Sequence, residues 1–107
     1  MTDVAPPIFI IGDTDVIMFA SVRQAERDLE PIDVRSGGFV AYDSLGRLLR
    51  LEASRWRVTI TLAESEPSHV SELENALRAY LKALNDPVGE DAKCELPFLV
   101  DACRKFM

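Results

Sequence analysis

The sequence predicts an α+β domain in which a mainly antiparallel, curved sheet packs against two or three helices. Three observations predict it. Apolar and polar residues alternate along 47–62, which is typical of strands with one buried face. An apolar stripe at helical spacing runs along 70–84, and a shorter one follows a capping pattern at Ser21. The chain has 107 residues, which predicts one domain covering 1–107.

The first elements predicted are two short strands. We expect residues 1–7, which end in two prolines, to be a flexible lead-in. Ile8–Ile11 and Val16–Ala20 are apolar runs separated by the turn-forming sequence Gly12-Asp13-Thr14-Asp15. This pattern favours two strands joined by a tight turn. A single strand with a disordered approach is the alternative.

A helix is predicted over 21–30. Ser21 and Gln24 have the spacing of a capping box. The residues that then share one helical face are Val22, Ala25 and Leu29. Pro31 ends the helix, because the residue before a proline avoids helical geometry. Ile32 is expected to return to the core.

A hairpin and a further strand are predicted in the middle of the chain. Phe39–Tyr42 and Arg47–Ala53 are its strands, joined by the turn Asp43-Ser44-Leu45-Gly46. Aspartate favours the first position of such a turn, and glycine accepts a positive φ at its end. Trp56–Leu62 is the next strand. The sequence leaves open whether Ser54-Arg55 is a turn or a bulge within one long strand.

Two helices are predicted in the last third. The longer covers 68–85, and the shorter covers Leu96–Met107 with Pro97 in its first turn and 88–95 as a loop before it. The residues expected to face inward from the short helix are Leu99, Ala102, Cys103 and Phe106. The core expected from all elements contains Phe39 or Tyr42, Leu49, Leu51, Trp56, Val58, Ile60, Leu73, Leu77 and Leu81.

The net charge of -6 is unevenly distributed. Residues 1–34 carry a net charge of -5, residues 35–63 carry +3, and residues 64–107 carry -4. An acidic surface repels phosphate backbones, so general nucleic-acid binding is disfavoured. Such a surface speeds encounters with a basic protein, although keeping the domain soluble is a sufficient explanation for the charge alone.

Two cysteines, Cys94 and Cys103, occur without metal-binding spacing. Ile8–Ile11 is too short for a signal peptide, and no apolar run approaches the roughly 18 residues of a membrane span. We therefore expect a cytoplasmic protein with reduced thiols and no membrane partner.

The sequence offers little for catalysis or ligand binding. His69 is the single histidine, and the serines around it are better explained as helix-start residues. Asp13-x-Asp15 lacks the further oxygens of a calcium loop, and the arginines at 47–57 lie beside threonines instead of the aromatics that stack on RNA. We expect no enzymatic activity, no metal and no cofactor.

Three segments resemble small immunity proteins of bacterial polymorphic toxin and contact-dependent growth inhibition systems. They are Ala25-Glu26-Arg27-Asp28-Leu29-Glu30-Pro31-Ile32-Asp33-Val34, Tyr42-Asp43-Ser44-Leu45-Gly46-Arg47-Leu48-Leu49, and Glu66-Pro67-Ser68-His69 leading into Glu72-Leu73. The resemblance covers about residues 20–84. It implies a cytoplasmic inhibitor that binds and occludes a cognate toxin, often a nuclease with a basic surface. No catalytic or ligand residue carries over.

A partner surface is predicted from the acidic residues on turns, loops and an exposed helix face. These residues are Asp13, Asp15, Glu26, Glu30, Asp33 and Asp43. Each is expected to pair with toxin lysines or arginines. The alternative function is a small regulatory or structural interaction module without a toxin partner, with Leu45, Leu48 and Phe98 as contacts in self-association. We expect a monomer.

Overall fold

In the described residues of the computed structural model, 4–12, 15–91 and 93–107, five strands form one open antiparallel sheet. The strands are β1 (Ile8–Ile11), β2 (Val16–Phe19), β3 (Val40–Tyr42), β4 (Leu48–Ala53) and β5 (Val58–Leu62). Their order across the sheet is β2-β1-β3-β4-β5, and every neighbouring pair is antiparallel. The predicted α+β class with an antiparallel sheet is confirmed.

Helices cover both faces of this sheet. Within the same described ranges they are α1 (Val22–Asp28), α2 (Pro31–Arg35), α3 (Val70–Ala83) and α4 (Leu96–Arg104), with a short 3-10 helix at Pro87–Glu90. One core forms where α1 and α2 meet the sheet, and it includes Ile8, Ile10, Ala25 and Leu29. A second core forms under α3 and α4 and includes Phe9, Leu73, Leu77 and Leu99. The sheet is therefore the middle layer of three.

The apolar run of β1 follows from this arrangement. Ile8 and Ile10 belong to the core under α1, while Phe9 belongs to the core under α3, and all three are fully buried. A strand covered on both faces needs apolar residues at successive positions, so the period-2 alternation disappears. The pairing of β1 with β2 confirms the predicted hairpin. Its turn lies partly outside the described residues, with Gly12 N donating to Asp15 O at 2.9 Å.

The first predicted helix is confirmed, but a second helix follows it. Ser21 caps α1 by accepting a hydrogen bond from Gln24 N at 3.1 Å, as the capping pattern predicts. Pro31 ends α1 and also occupies the first turn of α2, where its missing N–H costs nothing. Ile32 faces solvent on this short helix with 64% of its surface exposed, so its predicted return to the core is wrong.

The chain turns between β4 and β5 at 54–57. Ser54 N donates to Arg57 O at 2.8 Å, so the two strands are separate and the turn interpretation is confirmed. Val58 and Ile60 are buried as predicted. Trp56 is 81% exposed, so its assignment to the core is wrong. The apolar alternation of β5 begins only at Val58, because Trp56 belongs to the turn.

The long helix presents its predicted face to the sheet. Leu73, Leu77 and Leu81 are fully buried. In the last helix Leu99 and Cys103 are fully buried, but α4 ends at Arg104 and Phe106 is 42% exposed, which is contrary to its predicted inward position. Among the described residues no helix is long and apolar enough to cross a bilayer.

The described part of the expected flexible lead-in, residues 4–7, contacts the body of the domain. Ser44 N donates to Ala5 O at 2.9 Å, and Ala5 N donates to Asp43 Oδ2 at 3.2 Å. Pro7 is fully buried. These contacts anchor the chain just before β1 against the turn between β3 and β4.

Candidate functional site

The turn between β3 and β4 is built around a buried carboxylate. Asp43 is fully buried, and its Oδ1 accepts hydrogen bonds from Leu45 N at 3.1 Å and Arg47 N at 3.0 Å. Its Oδ2 accepts from Arg47 Nε at 2.8 Å and lies 2.7 Å from Arg47 Nη2. A buried carboxylate needs such internal partners. Asp43 therefore fixes the turn, and its assignment to the partner surface is wrong.

Gly46 brings this turn against the start of α3. Its φ is 84°, a conformation that glycine adopts without strain. A Cβ at Gly46 would lie 2.8 Å from Val70 Cγ2 and 2.9 Å from Val70 Cα. His69 N also donates to Gly46 O at 3.1 Å. The turn is thus locked both by its own carboxylate and by its contact with α3.

An apolar groove of about 550 Å³ lies where this turn meets the N-terminal ends of α3 and α4. The uncharged lining residues are Ser44, Leu45, Pro67, Val70, Leu96 and Pro97. Glu74 of α3 and Glu95, which precedes α4, add two carboxylates to the lining. We call this feature the acidic groove. Leu45 is 51% exposed, so an apolar surface is open to solvent there.

The two carboxylates of the acidic groove are free to meet an external cation. Within the described part of the chain, neither Glu74 nor Glu95 forms an ion pair. Arg78 lies one turn along α3 from Glu74, but its Nη2 donates to Cys94 O at 2.9 Å and its Nη1 to Asn75 Oδ1 at 3.4 Å. The apolar lining and the acidic groups together suit a basic segment that carries an apolar side chain.

A surface of opposite charge lies at the other end of β4. The single tryptophan, Trp56, stands exposed in the turn between β4 and β5 with the Arg55 guanidinium 5.0 Å from its ring centroid. Arg57 follows it and is also exposed. Arg35 of α2 donates from Nη1 to Ser54 O at 3.3 Å and supports the turn. We call Arg55, Trp56 and Arg57 the cationic tip.

The predicted acidic residues do not form one surface. Glu26 is half-buried and accepts a hydrogen bond from Ile60 N at 2.7 Å, so it has a structural contact that its assignment to an exposed face did not foresee. Asp15 is exposed and borders a depression of about 210 Å³ beside α3, on the opposite side of the sheet from α1 and α2. Glu30 and Asp33 are exposed near the start of α2. Asp13 lies outside the described residues.

His69 lies in a small polar cluster before α3. Its Nε2 is 3.3 Å from Glu64 Oε1, and its ring lies 5.5 Å from that of Tyr42. Ser68 donates its hydroxyl to Glu64 Oε2 at 2.7 Å, and hydrogen bonds from Ser68 and His69 lower the pKa of Glu64. The Ser68 hydroxyl is therefore directed to Glu64. No group of three metal-ligating side chains occurs among the residues that the structure describes.

Both cysteines are free thiols. Burial raises the pKa of Cys103 to about 12, and burial followed by the charge of Asp91 raises the pKa of Cys94. A raised pKa leaves little thiolate near neutral pH, and the thiolate is the reactive form.

The sequence pointed to neither the acidic groove nor the exposure of Trp56. In the sequence Glu74 is one of several acids near the start of a predicted helix, where the helix dipole favours them, and the three segments that form the groove are far apart in the chain. The one available signal for the tip was the position of Trp56 between two arginines beside a possible turn. Comparison of the chain with protein-family models, curated proteins and solved structures found no match.

Proposed function

We propose that this protein is an immunity protein, which binds a cognate bacterial toxin of the nuclease class and neutralises it by occlusion. The observation that carries the proposal is the acidic groove, an open apolar surface with two carboxylates that form no ion pair with any other described residue. The resemblance of residues 20–84 to immunity proteins and the net charge of -6 agree with it.

The acidic groove suits the chemistry of such a partner. A nuclease grips phosphate with lysines and arginines, and those side chains match Glu74 and Glu95. An apolar toxin side chain between them would meet Leu45, Val70 and Leu96. Apolar anchors in pockets dominate affinity, while charges mainly speed association. Inhibition then follows because the basic surface is covered and no longer reaches its substrate.

Toxin binding also gives the buried turn a role. Asp43 and Gly46 hold the turn that carries Leu45 in place beside the start of α3 before any partner arrives, so the turn loses little conformational entropy on binding. In this proposal Asp43 positions the binding surface without touching the toxin. Glu30, Asp33 and Asp15 contribute through their long-range field.

The test is to purify the protein and the basic toxin domain encoded beside it, and to measure their affinity and association rate by calorimetry and stopped-flow mixing. The wild-type protein should form a stoichiometric complex and protect cells that express the toxin. The E74K/E95K variant should bind at least tenfold more weakly, because it places two like charges against the toxin. L45A should speed dissociation, because it removes an apolar contact.

A matched control is the E30K/D33K variant, which changes the net charge equally but lies near the start of α2. It should slow association modestly and leave the dissociation rate unchanged. If neither a complex nor protection is observed with wild-type protein, the immunity function is wrong. If E30K/D33K weakens binding as much as E74K/E95K, immunity stands but the acidic groove is not its binding surface.

A further inference from the structure

We propose that the cationic tip of one copy of this protein docks into the acidic groove of a second copy. The two surfaces are complementary in polarity and charge, and among the described residues none of their four charged side chains forms an ion pair within the monomer. This inference goes beyond toxin binding and replaces the expectation of a strict monomer.

Trp56 supplies the apolar anchor. Its side chain is 81% exposed in the turn that joins β4 to β5. Burying a tryptophan removes about 150–250 Å² from water, and tryptophan is enriched among residues that dominate interfaces. The acidic groove offers about 550 Å³ lined by Leu45, Val70 and Leu96. The groove of a second copy thus offers an apolar surface to the exposed ring.

The charges on the two surfaces are equal in number and opposite in sign. Arg55 and Arg57 flank the tryptophan, and Glu74 and Glu95 line the groove. Two copies with a net charge of -6 repel each other at long range. A contact that brings the basic middle segment against an acidic surface replaces this repulsion with local attraction. An extended nucleic acid is a poorer occupant of the tip, because its phosphates would meet the acidic remainder of the surface.

The distance between the tip and the groove along β4 means that the contact forms between two copies and not within one. The cationic tip follows the last residue of β4, and the turn that borders the acidic groove precedes its first residue. The six residues of β4 span about 20 Å at roughly 3.3 Å per residue, so the tip of a chain does not reach its own groove. The contact therefore joins two copies, either reciprocally in a two-fold dimer or in one direction, in which case repeated addition forms a ring or an open chain.

Both surfaces are held in place before they meet. The tip is supported by the hydrogen bond between Ser54 N and Arg57 O and by the contact of Arg35 with Ser54 O. The groove is supported by the Asp43 turn. Preorganisation reduces the entropy lost on association. The contact is nevertheless small, so we expect affinity in the high-micromolar range, typical of weak interfaces.

Self-docking is measured without any toxin, so its failure leaves the proposed function untouched. If both proposals hold, the toxin and the second copy compete for the same groove. Self-docking would then cover an exposed apolar surface until the toxin displaces it.

The experiment compares the wild-type protein with two charge-reversal variants, R55E/R57E at the tip and E74K/E95K at the groove, up to about 1 mM protein. Sedimentation equilibrium measures mass, and the emission of the single tryptophan reports burial of the tip. For the wild type, mass should rise with concentration and the emission should shift to shorter wavelength. Each variant alone should remain a monomer with an exposed tryptophan.

Mixing the two variants gives the decisive result. E74K/E95K has a basic tip and a basic groove, and R55E/R57E has an acidic tip and an acidic groove. Both tip–groove contacts between the two variants therefore join opposite charges, so the mixture should regain an increase of mass with concentration that neither variant shows alone. The matched controls are E30K/D33K and R23E/R27E, which change the net charge to the same extent on the other helical layer and should associate like the wild type. Circular dichroism of every variant checks folding, and W56A provides an uncharged test of the tip.

Three outcomes would overturn the proposal. The first is a wild-type mass that stays monomeric throughout the concentration range. The second is association that persists in either charge-reversal variant or in W56A, which would place the contact elsewhere. The third is a pair of folded monomeric variants that do not combine when they are mixed.

Discussion

Asp43 shows how the position of a single carboxylate decides its role. In the sequence it is one of several acids in polar turns, and turn acids are usually solvated. In the structure the turn and residues 4–7 enclose it, and five nitrogen atoms of Ala5, Leu45 and Arg47 donate hydrogen bonds to its two oxygens or form an ion pair with them. The enclosing contacts include Ala5, which is 38 residues away in the chain. Sequence patterns at short range do not contain that information.

Replacing Asp43 with asparagine should destabilise the protein by about 3 kcal/mol. This is the lower end of the cost of breaking a buried ion pair, because the Arg47 side chain keeps 16% exposure. Chemical denaturation measures the change in the free energy of unfolding. The control is D33N, at an exposed position where the change should stay within about 0.5 kcal/mol. Equal effects at the two positions would contradict the structural role of Asp43.

At the scale of elements, the edge of the sheet explains why Glu26, which the sequence assigned to the partner surface, makes a structural contact instead. β5 is an edge strand, and edge strands present unpaired N–H groups that can pair with another chain. Glu26 reaches from α1 and accepts the hydrogen bond of Ile60 N at 2.7 Å. A side chain on the helix thus takes the place of a sixth strand at that position.

Replacing Glu26 with alanine should lower the free energy of unfolding by about 1–2 kcal/mol, because a charge-assisted hydrogen bond to the backbone is lost. The amide of Ile60 should also exchange its hydrogen faster. E30A is the matched control, since Glu30 is exposed and provides no side-chain cap to α2. Unchanged exchange at Ile60 in E26A would contradict this account of the edge.

Regular elements were predictable because their patterns are local. The alternation along β4 and β5 and the apolar stripe of α3 placed the strands and the helix correctly, and Ser21 marked the start of α1. The additional helix α2 was missed because Pro31 was interpreted only as a helix end. The acidic groove was not predictable, because 44–45, 67–74 and 95–97 meet only in the folded chain.

At the scale of the whole molecule, an ion pair fastens the C-terminal end of α4 to the loop after α3. Asp86 is 6% exposed, accepts a hydrogen bond from Val88 N at 2.9 Å and pairs with Lys105. The Lys105 contact and then the Val88 hydrogen bond lower the pKa of Asp86 from its ordinary 3.8. A proton therefore binds this carboxylate more weakly in the folded chain than in the unfolded chain.

The stabilisation from Asp86 should be fully present above about pH 4 and should disappear as the pH falls from 3.8 towards the lower pKa of the folded state. The difference in Tm between wild type and D86N should then be constant from about pH 5 to 7 and shrink in more acidic solution. The control is D101N, at an exposed position of α4, where the change in Tm should be small. A difference between wild type and D86N that persists unchanged below the folded pKa would contradict the assignment.

The shared sheet should make the two cores unfold together. Leu77 lies in the core under α3 and Leu29 in the core under α1, and both cores rest on opposite faces of the same strands. L77A should cost about 2–5 kcal/mol, because a fully buried leucine leaves a cavity, and L29A should cost less, because Leu29 retains 8% exposure. Both should shift one cooperative transition, with calorimetric and van't Hoff enthalpies still equal.

W56A should change stability by less than about 1 kcal/mol, since it removes only an exposed ring and its contact with Arg55. A W56A cost comparable to that of L77A would return Trp56 to the core, and a split transition in L77A would show that the two faces of the sheet are energetically separate.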